Sequence, residues 1–89
     1  MSGECFLCGR WARLEEHHIF GAALRNKSKK YGLTVYLCHR CHNEPPFGAH
    51  HNAKTMQALH EYGERKWLQE HNATIEDFRR EFYKNYLED

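Results

Sequence analysis

Eighty-nine residues make one domain (1–89), and a chain this short buries too little apolar surface to be stable without a metal, disulfides or a partner. No segment is long and apolar enough to span a bilayer, and nothing after Met1 has the charged and apolar regions of a secretion signal, so the expected setting is the cytoplasm, with no membrane partner. The net charge of +1 hides a segregation: His17 to Asn43 holds five cations and no acid, whereas Glu61 to Asp89 holds eight acids against five bases, leaving a basic middle suited to phosphates.

In chain order, Cys5-Phe6-Leu7-Cys8 is a metal-binding knuckle, two thiolates offered from one tight turn. Trp11 to Glu16 reads as a strand leading into His17-His18-Ile19-Phe20, ended by Gly21, with the two histidines on opposite faces or splayed at a bend. Ala22 to Gly32 reads as a basic loop with at most one helical turn, started by Ser28 and stopped by Gly32. Leu33 to Leu37 is rich in β-branched and aromatic residues and predicts a strand that delivers the second knuckle, Cys38-His39-Arg40-Cys41. Glu44-Pro45-Pro46-Phe47-Gly48 breaks regular structure, with Gly48 expected to relax the chain.

Ala49 to Asn52 leads into a helix, capped at Asn52 or Thr55 and running to about His71, whose apolar stripe is Met56, Leu59, Gly63 and Trp67. Thr74 and Asp77 make a capping box that opens a second helix with the stripe Ile75, Phe78, Phe82, Tyr86 and Leu87. The fold class is α+β: a metal-knit, β-rich core over 1–54, then a helical extension over 55–89. Trp67, Phe82, Tyr83 and Tyr86 offer the extension either as packing for the core or as a docking surface for a protein partner.

Two Cys-x-x-Cys pairs separated by a long gap predict a closed tetrahedral site on Cys5, Cys8, Cys38 and Cys41 that holds a structural zinc, with iron as the competing ion. A disulfide framework, with three possible connectivities, suits an oxidising compartment and is the lesser reading. That ion draws the second knuckle back to the first and carries His42 towards His17 and His18, three imidazoles that could meet on a second cation. His60 and His71 are read as structural, and His39, between two ligand cysteines, as exposed.

Cys-x-x-Cys, then Glu16-His17-His18-Ile19, then a strand ending in Cys38-x-x-Cys41-His42-Asn43 resembles the HNH nucleases of the ββα-metal fold in their four-cysteine form. The resemblance covers Cys5 to about Lys54. Cys41-His42-Asn43-Glu44-Pro45-Pro46 and Gly48-x-His50 narrow it towards small phage recombination-enhancement nucleases. It implies a treble-clef core, a phage or prophage origin and DNA as the partner. It implies His18 as general base, His17 and His42 as ligands of a divalent ion (Mg²⁺, Mn²⁺, Zn²⁺ or Ni²⁺), and His50 as a further ligand with His51 its rival. Arg25, Lys27, Lys29, Lys30 and Arg40 become the candidate nucleic-acid contacts.

One position departs from the family pattern: Leu33, beside Gly32, stands where an Asn usually orients the loop of the general base, with Asn43 or Asn52 as substitutes by another route. That departure motivates a competing function, a non-catalytic treble-clef module that binds nucleic acid or a protein.

Overall fold

The computed structural model describes residues 1–87. Three antiparallel strands, β1 (Ser2–Glu4), β2 (Trp11–His18) and β3 (Thr34–Cys38), form a sheet in the order β1-β2-β3. Four α-helices accompany it: α1 (Arg25–Lys30), α2 (His39–Asn43), α3 (Ala53–His71) and α4 (Ile75–Phe82). The fold class is therefore mixed α and β, with the four cysteines gathered at metal-binding distance.

Strand β3 alternates as a half-buried strand must, with Val35 and Leu37 inside and Tyr36 outside. Its register on β2 pairs Leu14 with Cys38 and His17 with Val35. That pairing places Glu15 and His17 on the face of Leu37 and Val35, looking towards the interior, and His18 on the other face at the end of the strand.

The link from β2 to β3 differs from the predicted loop. It holds a 3-10 turn at Ala22–Leu24 and then α1, which begins at Arg25 rather than at Ser28. Ser28 caps nothing: it lies fully buried, and its hydroxyl donates to the Phe20 carbonyl at 2.7 Å while accepting from the Phe20 amide at 2.9 Å. One side chain thus satisfies both backbone groups of the residue where β2 turns into the core. Lys27 reaches across to α4, donating to the Glu81 carbonyl and pairing with its carboxylate at 3.5 Å.

Helix α3 starts where Asn52 accepts a hydrogen bond from the Thr55 amide at 3.0 Å. It buries Leu59, Gly63 and Trp67 along one stripe. At Gly63 a methyl group would come within 2.7 Å of Ile19 and 3.1 Å of Phe20, so only glycine lets the helix backbone press on the segment that follows the two histidines. The Thr74–Asp77 capping box is present and opens α4, which buries Phe78 and Phe82.

Helix α4 stops earlier than its apolar stripe suggests. Tyr83 adopts the left-handed conformation (φ 68°), and the chain then doubles back so that Tyr86 lies over His60 at 4.4 Å between rings. Buried Glu64 holds that return, accepting from the Tyr86 amide at 2.7 Å. Tyr86 and Leu87 therefore pack from outside the helix. Of the four aromatic residues weighed as a docking face, Trp67 and Phe82 are core, Tyr86 is half-buried, and Tyr83 is exposed beneath the Lys27 ammonium.

Candidate metal centres

The first centre is made of sulfur. A tight turn, closed by the Gly9 amide on the Cys5 carbonyl at 2.9 Å, presents Cys5 and Cys8. The Phe6 amide bonds the Tyr36 carbonyl at 3.0 Å and ties that turn to β3, whose end and the first turn of α2 supply Cys38 and Cys41. The four Sγ atoms lie within 4.8 Å of one another, with Cys8 and Cys38 at 3.8 Å, and every cysteine is a free thiol.

The thiols behave unequally. Burial alone would raise Cys5, yet amides of Cys8, Cys38 and Leu7 aimed at its sulfur bring it down to about 6. Burial, followed by hydrogen bonds from the other three sulfurs and the Cys5 charge, pushes Cys41 up. One thiolate is tolerated in this cluster by itself; four require a cation among them. The donor set fits a closed site for one metal ion with no place left for substrate.

The second centre is made of imidazole. His17 comes from β2, His42 from the last turn of α2 and His50 from a 3-10 turn at Ala49–His51. One nitrogen of each lies within 4.8 Å of the other two, and the ring centroids are 4.8 to 5.2 Å apart. Gly48 makes this meeting possible. A Cβ there would sit 2.7 Å from the Glu44 amide nitrogen and 2.9 Å from Asn43 backbone atoms, so the residue permits close approach rather than loosening the chain. His51, the rival of His50, is not one of the three clustered imidazoles.

Hydrogen bonds assign the tautomers. Glu15 Oε1 lies 2.8 Å from His42 Nδ1; a carboxylate only accepts, so that nitrogen carries the proton and His42 Nε2 offers a lone pair. His50 Nε2 is 3.1 Å from that same atom. Buried His17 Nε2 has no hydrogen-bond partner among the described residues, an orphaned polar atom on one of the three clustered rings. Burial first, then the neighbouring imidazoles, bring His17 down to about 4, and burial also lowers His50. With His42 Nε2 accepting, His50 Nε2 donates to it; a divalent cation would replace that shared proton and take a lone pair from each ring, with the Glu15 carboxylate behind His42.

A cleft of about 280 Å³ opens onto these rings, lined by His17, His42 and His50 and by Glu16, His18, Gly21, Ala22 and Arg25. His18 thus reaches the same space as His17 although strand alternation sends it to the other face, because the cleft wraps round the end of β2. Compared with family models, with curated proteins and with solved structures, the chain matches none.

Each predicted residue has a definite place. The four cysteines are together, as are His17, His42 and His50. Of the cations, Arg25 lines the cleft, Lys29 and Lys30 are exposed on α1, Lys27 is engaged by Glu81, and Arg40 covers the Phe47 ring at 5.0 Å. Leu33 is wholly buried and its carbonyl accepts from the Ile19 amide at 3.0 Å, while Asn43 reaches Glu15 at 3.5 Å and Asn52 caps α3. Leu33 and Ser28 together hold the segment after His18.

Two contributors escaped the sequence reading. Glu15 grips His42 and His39 at 2.8 and 3.0 Å, and these two hydrogen bonds hold its carboxyl below the usual range. Its signal was strand alternation, since Glu15 and His17 share a face. Ser28 carried no signal beyond being a small hydroxyl residue in a basic run.

No helix among the described residues is long and apolar enough to cross a membrane.

Proposed function

We propose that the chain is a metal-dependent endonuclease of the HNH kind that hydrolyses DNA phosphodiester bonds. In this reading zinc on Cys5, Cys8, Cys38 and Cys41 supports the fold, and a second divalent cation on His17, His42 and His50 serves the chemistry. The observation that carries it is the open imidazole cluster, with an orphaned His17 nitrogen, in one cleft with Arg25 and with His18, whose Nε2 lies 3.9 Å from the Glu16 carboxylate.

The residues divide the work. His18 takes the proton from a water as that water attacks phosphorus, general-base work that an imidazole nitrogen within reach of the cleft can do. Arg25 holds a non-bridging phosphate oxygen, and Lys29 and Lys30 on the neighbouring face of α1 attract the flanking backbone. Glu15 keeps His42 in the tautomer whose Nε2 faces the cleft. The cation, when bound, supplies positive charge to the phosphate and to the departing oxygen. Ser28 secures the backbone two residues beyond His18 and so limits where the base can stand.

The competing reading, a zinc module that binds without cutting, is favoured by one observation: a buried Leu33 in place of the family's middle Asn. Zinc-loaded protein incubated with plasmid DNA and Mg²⁺, Mn²⁺ or Ni²⁺ separates the two. The nuclease reading expects nicked or linear product, and a loss of about 10²- to 10⁴-fold in rate on His18→Ala with zinc content and circular dichroism unchanged. Cleavage by no metal, from folded protein, leaves the binding module.

A further inference from the structure

The cleft has a second half that phosphate chemistry does not use. Beyond the shared wall of His17, His18 and His50 it continues into a space of about 390 Å³ whose other sides are Leu24, Met56, His60 and Tyr86. Here the lining is largely apolar and aromatic. Phe20, His60 and Tyr86 form a ladder of rings, Phe20 on His60 at 5.4 Å and His60 on Tyr86 at 4.4 Å. A cation lies beside this wall, the Lys84 ammonium 5.0 Å from the centre of the Tyr86 ring.

Resting on the phosphodiesterase reading, we propose that this half of the cleft receives a nucleobase, and that the substrate is therefore nucleic acid with an unpaired nucleotide next to the scissile phosphate. A phosphate held at His17, His42, His50 and Arg25 carries a sugar and base covalently attached, and the adjoining wall offers what a base face needs: flat rings, a thioether and a branched aliphatic chain. Arg25 at one end and Lys84 at the other lie where the phosphates on either side of that nucleotide would pass. A base inside a duplex keeps both faces stacked and its edge paired, so it cannot enter a concave pocket; an unpaired or extruded one can.

The test compares two chromogenic diesters on the full-length zinc protein with Mn²⁺: thymidine 5′-(p-nitrophenyl phosphate), which bears a base, and methyl p-nitrophenyl phosphate, which does not. Base binding lowers KM for the first by about 5- to 100-fold, the range that stacking on one aromatic wall provides. Met56→Trp, which fills the pocket from an accessible helix position, collapses that ratio towards one, and the wild-type ratio stands as evidence even if this variant folds poorly. Single-stranded oligonucleotides are cut in preference to the same sequence as a duplex.

A second measurement needs no turnover. The Met56 methyl resonance shifts on titration with thymidine 5′-monophosphate. If neither diester is hydrolysed with any divalent ion but the methyl shifts, the nuclease reading falls and the base pocket stands. Hydrolysis of both diesters at equal KM with an unmoved methyl overturns the pocket and leaves the nuclease reading intact. Faster cleavage of duplex than of single strand overturns the unpaired substrate.

Discussion

The two metal centres meet at adjacent residues, Cys41 and His42, yet they are built to opposite ends. The sulfur centre takes four identical soft donors from the turn of Cys5 and Cys8, the end of β3 and the first turn of α2, a closed set that would leave a bound ion no position for exchange. The imidazole centre draws one ligand each from a strand, a helix and a 3-10 turn, and leaves a cleft on its open side. The first brings the turn of Cys5 and Cys8 against the end of β3 and the start of α2, and Glu15 adds hydrogen bonds from β2 to His39 and His42 of the same helix. Closed coordination suits a structural role, and open coordination with a base beside it suits chemistry.

The largest effect expected from breaking this asymmetry comes from Cys38→Ser. Metal-linked folding energy of about 10 kcal/mol is at stake in such a site, so the variant loses its zinc and its native circular dichroism together, and the imidazole centre with them. Retention of cation binding at the histidines by this variant would show that the two centres are independent.

Next in size is pH, read on protein holding zinc alone. His17 stands at about 4 when folded against 6.5 when free, so between those values the unfolded chain gains a proton that the folded chain refuses. Its contribution is intact above about 6.5 and is lost as pH falls towards 4, a destabilisation of about 3 kcal/mol at full extent. Urea titrations across that range measure it, and His17→Asn flattens the dependence. A cation on the three histidines opposes the same protonation and shifts the loss to lower pH.

Gly48→Ala forces backbone against backbone at the turn that delivers His50 and costs about 1–3 kcal/mol. The sulfur centre keeps its zinc while the affinity of the histidine centre drops, as isothermal titration with Mn²⁺ or Ni²⁺ would register. Smallest in stability is Glu15→Gln. The half-buried carboxamide keeps the shape of the carboxylate and leaves the fold unchanged, and it weakens the second cation by about 10- to 100-fold, since His42 loses the charge that sets its tautomer. Equal affinity in this variant would remove Glu15 from the site.

Much of this molecule is readable from neighbouring residues. Asn52 with Thr55, and Thr74 with Asp77, identify their helix starts because a cap closes within one turn of its own chain. The alternation of Val35, Tyr36 and Leu37 and the stripe of Leu59, Gly63 and Trp67 follow from the periods of strand and helix. The paired Cys-x-x-Cys spacing marks the sulfur centre without any structure, since each half is a single turn. The end of α4 was not readable in this way. Tyr86 continues the apolar pattern but satisfies it against His60 and Phe20 after the chain has turned, and only the packing distinguishes the two solutions.

By itself, then, the sequence determined the α+β composition, the four thiols, the helix starts and the supply of histidines, all of which depend on residues within a few positions of each other. Tertiary structure decided which imidazoles meet, that Glu15 orients His42 across 27 residues, that Ser28 holds Phe20, and that Lys27 is taken by Glu81 54 residues away. Such contacts are set by how closely backbones approach at Gly48 and Gly63, a property of the packed whole that no local pattern encodes.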